Sequence, residues 1–132
     1  MLDRSIASFA FTILLALPQA FAQRAVEPVR VNLKLVEETA DNREFSDSLR
    51  HELNRFRDVA ITTKRVDYDV TTVTTPITER GQLKGYACAV LIMTPDTGRF
   101  RLSIETGATL PAMAANLADY LNKQYFEKRG RK

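Results

Sequence analysis

Tryptophan is absent from this 132-residue chain, and cysteine and histidine occur once each, with five glycines and five prolines. One cysteine excludes an internal disulfide framework, so packing alone must hold the fold. Cys88 lies in an apolar run, Tyr86-Ala-Cys-Ala-Val-Leu-Ile-Met93, which predicts a small buried hydrophobe, the alternative being an intermolecular disulfide or a reactive thiol. The single histidine leaves little for metal chemistry. His51 and Asp47 stand four residues apart on the polar side of an expected helix, and a pair without a third ligand does not make a metal site. No glycine-rich phosphate loop, GxSxG elbow or CxxC pair occurs, so neither a cofactor nor a catalytic residue is expected. Internal repeats and low-complexity linkers are also missing.

The N-terminus is more informative. Arg4 precedes an apolar stretch over residues 6–21, Pro18 interrupts it, and Ala20-Phe21-Ala22 places small residues where a signal peptidase reads. This pattern predicts a signal peptide over residues 1–22, cleaved between Ala22 and Gln23, and a periplasmic or secreted mature chain. The alternative is a retained anchor, for which residues 6–22 are at the short limit of a membrane span. The only cysteine is Cys88, which excludes lipid attachment at the cleavage point. The remaining 110 residues suffice for one domain with one core. The predicted division is a short extension over 23–28, a single α/β domain over 29–126 and a basic tail over 127–132.

The formal charge is +3, and the surplus is local. Lys123, Lys128, Arg129, Arg131 and Lys132 against Glu127 crowd the last ten residues. Such a run suits a helix C-terminus through the helix dipole, and it equally suits contact with anionic lipid, wall polymer or an acidic partner. Export and the lack of a recognition motif argue against nucleic acid.

Val29, Val31, Leu33 and Leu35 alternate with Arg30, Asn32 and Lys34, which predicts a first strand. Asp41 and Glu44 read as a capping box opening a helix to about Arg55 or Phe56, with Phe45, Leu49, Leu53 and Phe56 in one apolar stripe. A short strand follows over 59–63. Val66, Tyr68 and Val70 have the opposite parity to Val59 and Ile61, so a turn or bulge is required near Lys64 and Arg65. A meander is then expected, with strands over 68–79, 83–94 and 99–105 and turns at Gly81-Gln82 and Asp96-Thr-Gly98. Phe100, Leu102 and Ile104 alternate with Arg99, Arg101 and Ser103, leaving one sheet face wet. The 83–93 strand is apolar on both parities, as a central strand is, or one that faces a partner. Thr109 caps a last helix whose apolar face carries Leu110, Met113, Ala114, Leu117, Ala118, Leu121 and Tyr125. The expected fold is α+β, a two-layer sandwich in the order β-α-β-β-β-β-α, with a mixed sheet of four or five strands and two helices on one face.

Thr71, Thr72, Thr74, Thr75 and Thr78 make the strand over 68–79 hydroxyl-rich, and Pro76 removes a ladder donor, which predicts an edge or a broken strand able to accept a partner's strand. These threonines, with Lys128, Arg129, Arg131 and Lys132, are the candidate contact residues. Asp67 and Asp69 flank Tyr68, and paired acids can perform acid/base chemistry or bind a small ligand. Outer strand positions are also ordinarily charged.

The order of elements, the Val-Asp-Tyr-Asp-Val strand opening at 66–70, the Thr-Pro-Asp-Thr-Gly hairpin at 94–98 and the Leu-Ala-Asp-Tyr-Leu helix at 117–121 resemble the small α/β module of bacterial envelope proteins. That module is found in the N-terminal domain of TolB, in the curli secretion lipoprotein CsgG and in lipoprotein activators of penicillin-binding proteins. The resemblance implies an adaptor or assembly module that binds other envelope proteins without catalytic residues. The chain lacks the lipid-anchoring cysteine of the lipoprotein members and the propeller that follows in TolB. The functional expectation is an exported, non-enzymatic protein-interaction or assembly module. The alternatives are a ligand-binding protein or enzyme using Asp67, Asp69 and Tyr68, and a peripheral binder of anionic membrane or wall polymer through the basic C-terminus.

Overall fold

The computed structural model describes residues 27–127; the expected signal peptide and Lys128, Arg129, Arg131 and Lys132 lie outside them. Five strands form one sheet: β1 (Val29–Leu35), β2 (Val59–Ile61), β3 (Tyr68–Glu79), β4 (Gln82–Thr94) and β5 (Arg99–Gly107), in the spatial order β2-β1-β3-β4-β5. Two helices, α1 (Ala40–Leu53) and α2 (Leu110–Leu121), pack on one face, giving the α+β two-layer sandwich with the element order expected from the sequence.

β1 pairs in parallel with β2 on one side and β3 on the other, while β3, β4 and β5 form an antiparallel meander. The parity conflict between Val59/Ile61 and Tyr68/Val70 is resolved by the segment between β2 and β3. It carries the chain from one side of β1 to the other and passes through Arg65 at φ 52°. Thr62 N–H donates to the Val31 carbonyl and Asp67 N–H to the Arg30 carbonyl, so β1 pins both ends of this crossing.

The helix-side face of the sheet presents Val29, Val31, Val59, Val70, Cys88, Val90 and Ile92 to Phe45, Leu49 and Leu53 of α1 and to Leu110, Met113, Ala114, Leu117, Ala118 and Leu121 of α2. Truncating one of the large members of this cluster to alanine costs about 2–5 kcal/mol. Cys88 is wholly buried within it, and burial pushes its thiol pKa up to about 11, against the opposing influence of the Thr74 hydroxyl and the Val73 backbone.

Three local details differ from the sequence expectation. The first helix is capped by Thr39 rather than Asp41: the Thr39 hydroxyl accepts from Asn42 N–H at 3.2 Å, and α1 ends at Leu53 with Asn54 as its C-cap. A capping box would place Glu or Gln at the third helical position; Asn42 occupies it and reaches the sheet instead. The first hairpin turns at Arg80-Gly81, both with positive φ (53° and 78°), the pattern of a two-residue type I′ loop. Finally, the last helix continues beyond α2 as a π-helical turn over Asn122–Phe126. This turn brings Tyr125 and Phe126 each to 5.7 Å from Tyr68, measured between ring centroids.

Candidate interaction surface

The register of β5 against β4 decides which side of the last strand faces the helices. Cys88, Val90 and Ile92 are buried beneath the helix layer, and their partners across the ladder are Glu105, Ser103 and Arg101. Phe100, Leu102 and Ile104 therefore project from the opposite, uncovered face, where they are 72%, 64% and 71% exposed. The alternation expected for this strand is present, but its apolar set lies outside the core. α2 meets β5 closely at Gly107, where an added Cβ would stand 2.7 Å from the Met113 Cβ, and Arg101 sits at the other margin beside Tyr125. The helix layer thus supplies no apolar cover for Phe100, Leu102 or Ile104.

These three side chains continue a wider apolar array. Met93 pairs with Phe100, Leu91 with Leu102 and Ala89 with Ile104, and Val73 of β3 lies across from Ala89. This accounts for the apolar character of both parities in β4: one set enters the core and the other floors the open face. β4 is internal to the sheet, as expected, and its outer side chains are half-buried. Phe100, Leu102 and Ile104 thus form one contiguous exposed apolar patch, and such patches are often contact surfaces.

The threonine strand is placed differently from its expectation. β3 is the middle strand, not an edge: Thr71 and Thr72 have partners on both sides, Lys34/Leu91 and Leu35/Val90. Thr72 and Thr74 point into the helix side and are buried, so neither is available to a partner. Pairing with β1 stops at Thr72, and beyond it the Thr74 N–H is taken by the Asn42 side-chain oxygen at 2.7 Å. Because backbone N–H groups alternate in direction along a strand, Pro76 has its nitrogen on the same free side as Thr74 and costs the β3–β4 ladder no donor. Of Thr74, Thr75 and Thr78, which lie on the stretch without a β1 neighbour, only Thr75 and Thr78 are exposed. The sequence signal was sound for proline and misleading for the strand as a whole.

Tyr68 and Asp69 lie on opposite faces of the sheet. Tyr68 turns toward the aromatic cluster with Tyr125 and Phe126, whereas Asp69 lies on the open face. Asp69 accepts from Asn32 Nδ2 at 3.1 Å and pairs with Lys34 Nζ at 3.5 Å, while Asp67 Oδ2 accepts the Arg30 N–H at 2.9 Å. Both carboxylates thus hold β1 to the start of β3. Asp47 and His51 line a shallow depression with Ser48, Glu52 and Pro111, and no group of three metal-ligating side chains occurs among the described residues.

Tyr125, Tyr120 and Arg101 form a polar margin to the helix layer. The Tyr125 and Tyr120 rings meet edge to face at 6.3 Å. Burial raises the Tyr125 pKa, and interaction with the Arg101 guanidinium opposes that rise. A hollow lined by Ile92, Thr94, Arg99, Phe100, Arg101 and Tyr125 opens beside the start of β5.

No family model matches this chain, and no curated protein matches it. Among solved structures it is similar to a minor lipoprotein from Acinetobacter baumannii at 13% identity and a TM-score of 0.46, covering 79% of this chain and 95% of that one. It is also similar to a ribosomal subunit interface protein from Coxiella burnetii at 13% identity and a TM-score of 0.45, covering 76% and 97%. The N-terminal domain of Protein Y from Thermus thermophilus matches at 18% identity and a TM-score of 0.40, covering 75% and 94%.

Proposed function

We propose that this chain is an exported interaction module of the cell envelope that binds another protein through the open face of its sheet. The observation that carries this reading is the exposure of Phe100, Leu102 and Ile104 on a rigid strand, continuous with Leu91 and Met93. Exposed apolar side chains on ordered backbone lose little entropy when covered, which favours a preformed docking surface over a flexible one. The export part of the proposal rests on the residue 1–22 pattern. The acid/base alternative would need Tyr68 beside Asp69, and the two lie on opposite faces of the sheet.

A photo-crosslinking amino acid at Leu102, installed in the full chain within cells, tests the reading directly. The expected result is a discrete adduct with an envelope protein, absent when the same probe replaces Asp47 on the helix layer. Identical patterns from both positions, or no adduct from either, would overturn it.

A further inference from the structure

β5 is an edge strand guarded by charge alone, with Arg99, Arg101 and Glu105 along it. It runs nine residues without proline or an irregularity in its pairing with β4, and among the described residues its free side has no neighbouring strand. Natural edges of that length are ordinarily shortened, bulged or covered. The opposite edge, β2, has only three residues and fits that expectation.

The side-chain order of β5 is self-complementary about its midpoint. Arg99 to Gly107 has Ser103 at its centre, with Arg101 two residues before it and Glu105 two after, both on the helix side of the sheet. Leu102 and Ile104 flank the same midpoint on the open face. If a second β5 is laid antiparallel along the free edge with a two-fold axis at Ser103, all nine residues overlap. Arg101 then stands opposite Glu105 of the other copy, twice by symmetry, and Leu102 stands opposite Ile104, also twice. Phe100 faces Thr106 and reaches Ile104 diagonally. Opposite charges and paired aliphatics directly across a strand pair are the favourable combinations at such positions. Moving the axis to Leu102 also opposes charges, Arg99 to Glu105, and apolar side chains, Phe100 to Ile104, but it sets Arg101 against Ser103 and leaves Thr106 and Gly107 without a β5 partner, so the Ser103 axis is preferred for its full nine-residue overlap.

We propose that two copies of this chain associate in this way, joining their sheets edge to edge into one ten-stranded sheet. The occupant of the β5 edge is a second copy because the strand supplies both members of each charge pair. A twofold interface requires such self-complementarity, and a foreign strand would have to provide it separately. Edge pairing leaves the open faces uncovered and places the two apolar arrays side by side. The inference goes beyond the proposed partner and does not depend on it.

The test uses the full chain, purified in whatever processed form accumulates. Sedimentation or light scattering is expected to report two copies per particle. Ser103→Cys is expected to cross-link into a covalent dimer under mild oxidation, because directly opposed residues fall within disulfide reach and the native Cys88 is buried. Leu102→Cys is expected to cross-link far less. Arg101→Glu is expected to weaken association by about tenfold or more, since two attractive pairs become repulsive, and Arg101→Glu with Glu105→Arg is expected to restore it. A monomer throughout the micromolar range, a dimer that cross-links through Leu102→Cys in preference to Ser103→Cys, or a double variant that fails to recover while folding normally would each overturn the proposal. A monomer that still gives a specific envelope adduct at Leu102 would overturn this inference and leave the proposed function standing.

Discussion

Single side chains set the boundary between the sheet and its two helices. Asn42 is fully buried, and its oxygen holds the Thr74 N–H at 2.7 Å, just past the point where β1 stops supplying partners. Asn42→Ala strands that donor, and a buried unsatisfied amide costs about 1–3 kcal/mol. Urea denaturation should show a loss of that size. Cys88 gives a prediction with a defined pH window. Its thiol pKa rises from 9.0 to about 11 on folding, through burial above all. Between those values the unfolded chain has released the proton and the folded chain retains it, so stability falls as pH rises through the window and is unaffected below it. Alkylation of the native protein at neutral pH should be slow and should accelerate on unfolding.

At the scale of elements, close approach depends on two glycines. A Cβ on Gly85 would lie 2.7 Å from the Gly107 carbonyl oxygen, and one on Gly107 would lie 2.7 Å from the Met113 Cβ. Gly85→Ala should therefore be destabilising, since backbone must move to admit the methyl, whereas Gly98→Ala meets open space and pays only for its turn conformation at φ 67°. Thermal melts of the two variants should separate them, with the larger drop at Gly85. The strands, both helices, the Thr109 cap and the crossing near Arg65 were legible because alternation, periodicity and parity are local signals. Strand order was not. The hydroxyl-rich strand with Pro76 reads as an edge, yet β3 is central; the proline is tolerated only because β1 is shorter than β3 on that side. The facing of β5 was equally hidden, since alternation reveals two faces and pairing with β4 alone determines which is covered. Asn42 could have been suspected as a polar residue in line with the Phe45, Leu49 and Leu53 stripe, but its Thr74 partner is 32 residues away.

Over the whole molecule, the core is built from one face of the sheet and the inner stripes of two helices, and the apolar side chains of β5 contribute nothing to it. That separation makes the central claim testable without disturbing the fold. Replacing Phe100, Leu102 and Ile104 together by serine should cost about 0.2–1 kcal/mol per site, through lost cross-strand pairing with Met93, Leu91 and Ala89, and leave the core intact. The same variant should bind apolar dyes less and remain soluble at higher concentration, because the exposed patch is gone. The decisive measurement is affinity capture from envelope extract with the full chain and with this triple-serine variant, both checked for a cooperative thermal transition. The account predicts that a specific envelope protein is retained by the native surface and lost from the variant. Equal retention by both proteins would contradict it, because the binding would then reside elsewhere on the molecule.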